Sequence, residues 1–136
     1  MFEGLIGGFA NCFDPINFTL LFLGTFLGLL VGALPGLSSP MAIIILLPVT
    51  YSLEALPALL VMIGVYVGTK LGGSFSAILL RTPGTPASAC TAIDGFPMAE
   101  NGQASLALGY ATYSSFFGGL TSWIIAVTCI PIISAV

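Results

Sequence analysis

The stretch GTFLGLLVGALPGLSSP, residues 24–40, decides the fold. Its glycines recur at every fourth position: Gly24, Gly28, Gly32 and Gly36. Glycines at this spacing lie on one face of a helix and let a second backbone approach closely. Pro35-Gly36 and Ser39-Pro40 then interrupt the helix, because proline lacks an N–H group and disfavours helical backbone at the preceding residue. We therefore predict a glycine-faced helix over 15–34, a break, and a short helix over 41–47 that ends before the next proline.

Charge is scarce throughout the chain. Of 136 residues, 2 are Lys or Arg, 5 are Asp or Glu and none is His, whereas 57% are hydrophobic. A soluble domain carries ~25% charged residues, so this composition excludes one. Nucleic-acid binding needs a basic face, and disordered chains are poor in apolar residues. What remains is a protein of the lipid bilayer.

Two long runs contain no charge, 15–53 and 101–136. Each exceeds the ~20 residues that a helix needs to cross ~30 Å of hydrocarbon. As a single helix the chain would be about 200 Å long at ~1.5 Å per residue, which limits it to about six crossings. We predict an all-α, polytopic fold in which residues 1–136 form a single transmembrane region of roughly four or five segments.

The second half of the chain repeats both features. A second glycine stripe consists of Gly64, Gly68 and Gly72, and a second break runs over 82–88. We predict a span over 57–71 with Lys70 near its end, followed by a loosened segment at 72–74. We also predict a turn at 94–97, within an exposed polar stretch over 94–103, and a further apolar region over 103–136.

Residues that carry chemistry are few. The sequence has no His, no Ser in a GxSxG pattern, and no two carboxylates close enough to suggest a catalytic pair. Cys12, Cys90 and Cys129 have no CxxC spacing, so they predict neither a disulfide framework nor a metal site. We predict no enzyme activity, no catalytic residue, no resident metal and no cofactor apart from a coupling cation, sodium or proton.

The two breaks are the strongest candidates for a functional site. Non-helical backbone is costly within a bilayer unless it is buried in protein or lines a cavity. Freed N–H groups favour a carboxylate, and freed carbonyls favour Na⁺, as in secondary transporters built on broken helices. We predict that the breaks form re-entrant or half-helix segments that face each other near the midplane of the bilayer. Their candidate substrate- or ion-binding residues are Pro35, Gly36, Ser38, Ser39, Arg81, Pro83, Gly84, Thr85, Pro86 and Ser88.

Simpler interpretations of the same side chains stay open. The four hydroxyl groups among them could do no more than cap short helices. Arg81 and Lys70 could be cations at segment ends whose side chains reach the interface. However, a cation inside a membrane segment is also a functional-site candidate, and Arg81 directly precedes the second break.

Several motifs follow one another along the chain: Gly28-x-x-x-Gly32-x-x-Pro35-Gly36-Leu37, Leu47-Pro48-x-Thr50-Tyr51, Tyr66-x-Gly68, Gly72-Gly73-Ser74-x-x-Ala77-Ile78-Leu79-Leu80, Pro83-Gly84-Thr85-Pro86-Ala87-Ser88, Asp94-Gly95-Phe96-Pro97-Met98-Ala99 and Gly102-x-Ala104. In order and spacing this series resembles the large membrane subunit of the tripartite tricarboxylate transporters. The resemblance covers about residues 20–120.

The resemblance implies a function and partners. Such a subunit works with a small membrane subunit and a periplasmic solute-binding protein. Together they take up organic acids, tricarboxylates or dicarboxylates such as citrate, across the bacterial inner membrane by cation symport. Family members are several times longer, so we expect this multi-pass chain to be an N-terminal portion. Two alternatives remain: a packing subunit with no solute site of its own, and an oligomeric channel.

Overall fold

The computed structural model describes the backbone of residues 2–133 and the side chains of residues 7–129. Six α-helices and one short 3₁₀ helix make up this part of the chain, which confirms the all-α prediction. They are α1 (Phe2–Cys12), α2 (Pro15–Ala33), α3 (Ser39–Thr50), α4 (Ala55–Leu80), the 3₁₀ helix (Pro86–Ser88), α5 (Ala89–Glu100) and α6 (Ala104–Ile133).

The two glycine stripes form the seam between α2 and α4. A Cβ atom added at Gly24 would lie 2.6 Å from the carbonyl oxygen of Val61, and one at Gly64 would lie 2.7 Å from the carbonyl oxygen of Leu21. Real Cβ atoms do not approach backbone so closely, so only glycine fits. The other stripe glycines of the two helices meet the opposite backbone in the same way: Gly28, Gly32, Gly68 and Gly72. The predicted backbone approach is confirmed.

The seam also fixes the direction of the two helices. Gly24 faces Val61, and eight residues later Gly32 faces Thr69, so α2 and α4 run parallel. The intervening residues 34–54 must therefore return the chain along about 28 Å of α2. α3 supplies about 18 Å of this distance, and extended residues at its ends supply the rest.

Gly36 is not part of the seam, although its spacing suggested that it was. α2 ends at Ala33, and Gly36 lies in the following turn with φ +92°. No atom lies within 4 Å of the position where its Cβ would be. Gly36 is needed for its left-handed backbone, which glycine adopts without steric cost, and not for close packing.

The predicted loosening at 72–74 is wrong, because α4 continues through it to Leu80. Gly72 is held against Leu29 and Ala33 of α2, and Gly73 lies against Thr85 of the second break. These glycines therefore serve close packing within one helix of 26 residues. Lys70 accordingly lies well inside α4 and not near the end of a span.

The predicted turn at 94–97 is also wrong, because these residues continue α5. A Cβ at Gly95 would lie 2.7 Å from Cγ1 of Ile78, so this glycine packs α5 onto α4. Pro97 lies inside the helix. The turn comes later, at Gly102, where φ is +78°.

α3 and α6 are both more continuous than predicted. α3 passes through Pro48 to Thr50, and α6 passes through Gly118-Gly119, where no neighbouring atom lies near either glycine. Residues 134–136 of the predicted apolar region lie outside the described residues.

Two of the described helices are long and apolar enough to cross a membrane, namely α2 with 19 residues and α4 with 26. The predicted four or five segments are therefore not found in this part of the chain. α3, with 12 residues, is a shorter apolar helix. Its proposed re-entrant or half-helix character stays a prediction.

Candidate functional site

The first break connects α2 to α3. Leu34 and Ser38 have extended backbone, and Pro35 and Gly36 between them are exposed. Ser38 is the N-cap residue of α3, but its side chain makes no capping hydrogen bond. The first turn of α3 therefore keeps N–H groups without a side-chain acceptor from its cap.

Ser39 carries the one buried polar side-chain atom that has no hydrogen-bond partner among the described residues. Its side chain is 1% exposed. A buried hydroxyl left without a partner costs about 1–3 kcal/mol, so such groups are rare unless a ligand or water completes them. This observation favours a binding role for the first break.

The second break has its hydroxyl groups already engaged. Ser88 Oγ donates to the Thr85 carbonyl oxygen at 2.7 Å and accepts from the Thr85 backbone N–H at 3.2 Å. Thr85 Oγ1 lies 3.3 Å from the same Ser88 oxygen. This arrangement caps the 3₁₀ helix, so here the simpler interpretation of the hydroxyl groups fits the geometry.

Gly84 holds the second break against the α2–α4 pair. A Cβ at Gly84 would lie 2.8 Å from the Gly32 carbonyl oxygen and 3.1 Å from the Gly73 Cα. Gly32 is in the last turn of α2, directly before the first break. The two breaks thus begin at the same level of α4; that they face each other at the midplane stays a prediction.

Arg81 lies apart from the other candidate residues. It ends α4 in a left-handed conformation with φ 57°, and its guanidinium lies 5.4 Å from the centroid of the Phe96 ring. It lines a separate cavity of about 350 Å³ with Glu100. Pro83 and Pro86 are exposed on the loop that follows it. The structure therefore groups Gly84, Thr85 and Ser88 but not Arg81.

A cavity of about 540 Å³ lies between α4, the second break and α6. Lys70 lines it from α4, and its Nζ atom lies 5.2 Å from the centroid of the Tyr66 ring. The lining includes no carboxylate, but it includes five hydroxyl groups besides that of Tyr66: Ser74, Thr85, Ser88, Thr112 and Ser115. The lining of this cavity therefore carries one positive charge and no negative charge.

The position of Lys70 along α4 argues against a side chain whose ammonium group reaches the membrane interface. Residues 71–80 continue α4 for about 15 Å beyond it and carry no charge. Sequence analysis weighed Lys70 as a possible site cation but did not include it among the candidate residues, because it ended the span at 71.

A second cavity of about 410 Å³ lies beside the first, between α4, α5 and α6. Asp94 lines it together with hydroxyl groups from all three helices. Ser74 and Ser115 line both cavities, so the two are contiguous. Asp94 is exposed, as the sequence predicted, but it lies on α5 and not in a turn.

Comparison with known proteins gives the following results. Residues 18–136 match the family model described as Tripartite tricarboxylate transporter TctA family. The chain is 40% identical over 129 residues to the "Uncharacterized 52.8 kDa protein in TAR-I ttuC' 3'region" of Agrobacterium vitis. That alignment covers 95% of this chain and 26% of the relative, so the chain spans about a quarter of the curated relative's length. No solved structure matches the chain.

Proposed function

The chain belongs to the tripartite tricarboxylate transporter TctA family, a family of transporters and not of enzymes, and we propose that it forms part of a cation-coupled secondary transporter for organic acids. The substrates are tricarboxylates or dicarboxylates such as citrate. The partners are a small membrane subunit and a periplasmic solute-binding protein that delivers the acid. The location is the bacterial inner membrane.

The observation that carries this proposal is the Lys70 cavity. An ammonium group that lies on an apolar helix, with no carboxylate in the lining of its cavity, favours an anionic ligand, because a charge partly removed from water needs a counter-charge. The cavity borders the second break, where the chain re-enters helix and the first-turn N–H groups add partial positive charge. A solute carboxylate fits both features.

The first break offers two further features that support the same assignment. Ser39 offers a buried hydroxyl without a partner, and the α3 N-terminus offers N–H groups. Both suit an oxygen-rich ligand. Carboxylate binding by Ser38 and Ser39, and cation binding by the freed carbonyls of this break, are part of the proposal.

A packing role without any solute site is the second candidate. It is favoured by the second break, where Thr85 and Ser88 satisfy each other and Gly84 is fitted to the seam. In this case the proline and hydroxyl pattern would only shape the backbone. The two candidates differ in what they predict for Lys70 and Ser39.

We expect Lys70→Met to reduce the apparent affinity for a tricarboxylate by about 10-fold, because Lys70 is half-buried and a hydrogen bond to a charged group contributes about 1.5–3 kcal/mol. The measurement is uptake of labelled citrate and tricarballylate by cells that carry the complete locus, with and without a sodium gradient. Ile63→Met is the matched control, since it alters the exposed face of α4 two turns earlier.

Membrane levels of both variants are compared first by immunoblot. Equal affinity in wild type, Lys70→Met and Ile63→Met would remove the observation on which the solute site rests and favour the packing role. Accumulation of citrate against its gradient in the wild type would also exclude a channel.

We expect Ser39→Ala to weaken the affinity for solute or cation several-fold without lowering the thermal stability of the ligand-free protein. The reason is that this hydroxyl makes no hydrogen bond that the substitution would remove. Ser52→Ala serves as control, because Ser52 is exposed in the turn that follows α3. Lower stability with unchanged affinity would assign Ser39 to packing.

A further inference from the structure

We propose that the cavity between the end of α4 and α5 binds the headgroup of a zwitterionic phospholipid, phosphatidylethanolamine, with its phosphate on Arg81 and its ammonium group on Glu100. This Arg81–Glu100 cavity shares no lining residue with the Lys70 cavity. The inference therefore does not depend on the proposed transport function.

The lining of the cavity combines two opposite charges with an apolar wall. Its volume is about 350 Å³, within the range of about 300–1,000 Å³ that small-molecule pockets occupy. The lining residues are Arg81, Ala92, Ile93, Phe96, Pro97 and Glu100. Two of these residues are charged with opposite sign, and the other four are apolar. The cavity therefore offers one group that binds an anion and one that binds a cation.

The two charges do not neutralise each other. No ion pair joins Arg81 to Glu100 within the described residues, although both side chains line the same cavity. The guanidinium group lies instead 5.4 Å from the centroid of the Phe96 ring. Contact with a ring face leaves N–H donors of the guanidinium for an acceptor, and phosphate is one that arginine binds in a bidentate manner. Phe96 therefore positions the arginine without replacing a phosphate.

The backbone at Arg81 also favours a role for its side chain. Arg81 has φ 57° and is the one non-glycine residue with positive φ in the described part of the chain. A left-handed residue at a helix end is usually Gly or Asn, because other side chains are strained there. Strained residues of this kind cluster at binding and catalytic sites. An arginine at this position is thus more consistent with binding than with helix termination alone.

The cavity lies at the depth of lipid headgroups. α4 has 26 residues and is therefore about 39 Å long. This length exceeds the ~30 Å of hydrocarbon but not the ~40–45 Å that includes the headgroups. Arg81 directly follows the last residue of α4. The exposed polar stretch over 100–103 lies at the same end, because Glu100 shares the cavity with Arg81.

Apolar side chains next to the cavity suit the acyl chains of a lipid. Leu79 and Leu80 are exposed in the last turn of α4, directly before Arg81, and Ile93 is exposed within the lining itself. A phospholipid whose phosphate lies on Arg81 can cover these side chains with its hydrocarbon. A free phosphate ion gains none of this contact, so the occupant that fits the whole surface is a lipid.

Charge complementarity selects a zwitterionic headgroup. Phosphatidylethanolamine carries one phosphate and one ammonium group, which match one guanidinium and one carboxylate. Phosphatidylglycerol has no cation for Glu100, and the carboxylate repels its net negative charge. Phosphatidylcholine has a cation without N–H donors, so it cannot donate a hydrogen bond to Glu100.

The experiment measures lipid binding to the full-length subunit without transport. The subunit is depleted of lipid in detergent, and its unfolding temperature is followed against added phosphatidylethanolamine, phosphatidylglycerol or phosphatidylcholine, all with the same acyl chains. A ligand that binds only the folded state raises this temperature according to its concentration and affinity. We expect the lowest half-saturating concentration for phosphatidylethanolamine. Inorganic phosphate and glycerophosphoethanolamine, which lacks acyl chains, should give no increase at the same concentrations.

We expect Arg81→Gln to increase the half-saturating concentration of phosphatidylethanolamine about 10-fold, because it removes charged hydrogen bonds to the phosphate. Lys70→Gln is the matched control, since it removes the other basic residue of the chain at a position outside this cavity. Equal half-saturating concentrations in the two variants overturn the proposal.

Glu100→Gln tests the choice of headgroup through a ratio of two affinities in the same variant, so a change in stability does not affect it. We expect the preference for phosphatidylethanolamine over phosphatidylglycerol to disappear, because the partner of the ammonium group and the repulsion of the anionic lipid are lost together. Glu54→Gln, at the start of α4, is the control and should keep the preference. A preference that Glu100→Gln leaves unchanged overturns the proposal.

The wild type alone can also contradict it. If another segment of the full-length subunit covers the cavity, phosphatidylethanolamine will not raise the unfolding temperature, and the proposal fails. An equal response to inorganic phosphate would identify a simple anion site, and an equal response to phosphatidylglycerol would identify an unselective lipid surface. Either result overturns the assignment of a zwitterionic lipid.

Discussion

Replacing Gly84 with leucine is expected to abolish uptake of organic acids while the protein still inserts into the membrane. The new side chain would collide with the Gly32 carbonyl oxygen, 2.8 Å from the Cβ position, and with the Gly73 Cα at 3.1 Å. Both are backbone atoms, which cannot move away by a change of rotamer. The second break must therefore move away from the seam, and Thr85 and Ser88 move with it out of the Lys70 cavity.

The expected loss is large because binding groups lose their effect when displaced by about 1 Å, which can cost about 100-fold in rate. Insertion should persist, since the α2–α4 seam forms without Gly84. The measurement is initial uptake rate divided by the amount of protein in the membrane. Gly119→Leu is the control, because nothing lies near its Cβ position. Uptake by Gly84→Leu at the level of this control would place the second break outside the transport core.

The second large effect concerns the seam between α2 and α4, and we expect it to impair folding. In Gly28→Leu, the Cβ atom would lie 2.7 Å from the Val65 Cα, and the carbonyl oxygen of the same residue would be closer still. Overpacking of an interior costs about 1–3 kcal/mol when side chains can adjust. Here the obstacle is backbone, so we expect the upper end of that range or more.

This prediction is checked by fluorescence-detected size-exclusion chromatography of the tagged full-length subunit in mild detergent. We expect Gly28→Leu to lose the monodisperse peak that wild type gives. Gly118→Leu, which adds the same side chain where no atom lies within 4 Å, should keep it. A sharp peak for Gly28→Leu at the wild-type position would mean that α2 and α4 do not depend on this contact.

The helix seam was predictable from the sequence because it depends on a local, periodic signal. Gly24, Gly28 and Gly32 can face only one direction on a helix, and a matching stripe recurs at Gly64. The helix boundaries were less predictable. Gly72-Gly73 and Gly95 looked like flexible points, but each one packs against another segment, and the chain alone does not show which partner a glycine will meet.

The candidate site was also predicted only in part, because the sequence shows local signals but not which distant residues meet. The proline and glycine residues of the breaks marked non-helical backbone correctly. The Lys70 and Asp94 cavities were missed, because each is built from α4 and α6 and from residues distant in the chain. The Lys70 cavity can be predicted only once α4 is known to continue to Leu80 and to pack against α6, and the Asp94 cavity only once α5 is known to pack on α4.

The parallel seam has a consequence for how the protein is made. Each seam glycine of α2 meets a residue far downstream, Gly28 with Val65 for example, so α2 leaves the ribosome well before its partner. At about 5–20 residues per second the wait is roughly 2–7 s. During that time the glycine face of α2 has no α4 to pack against. Insertion of the first span thus has to be stable on its own, before any pairing supports it.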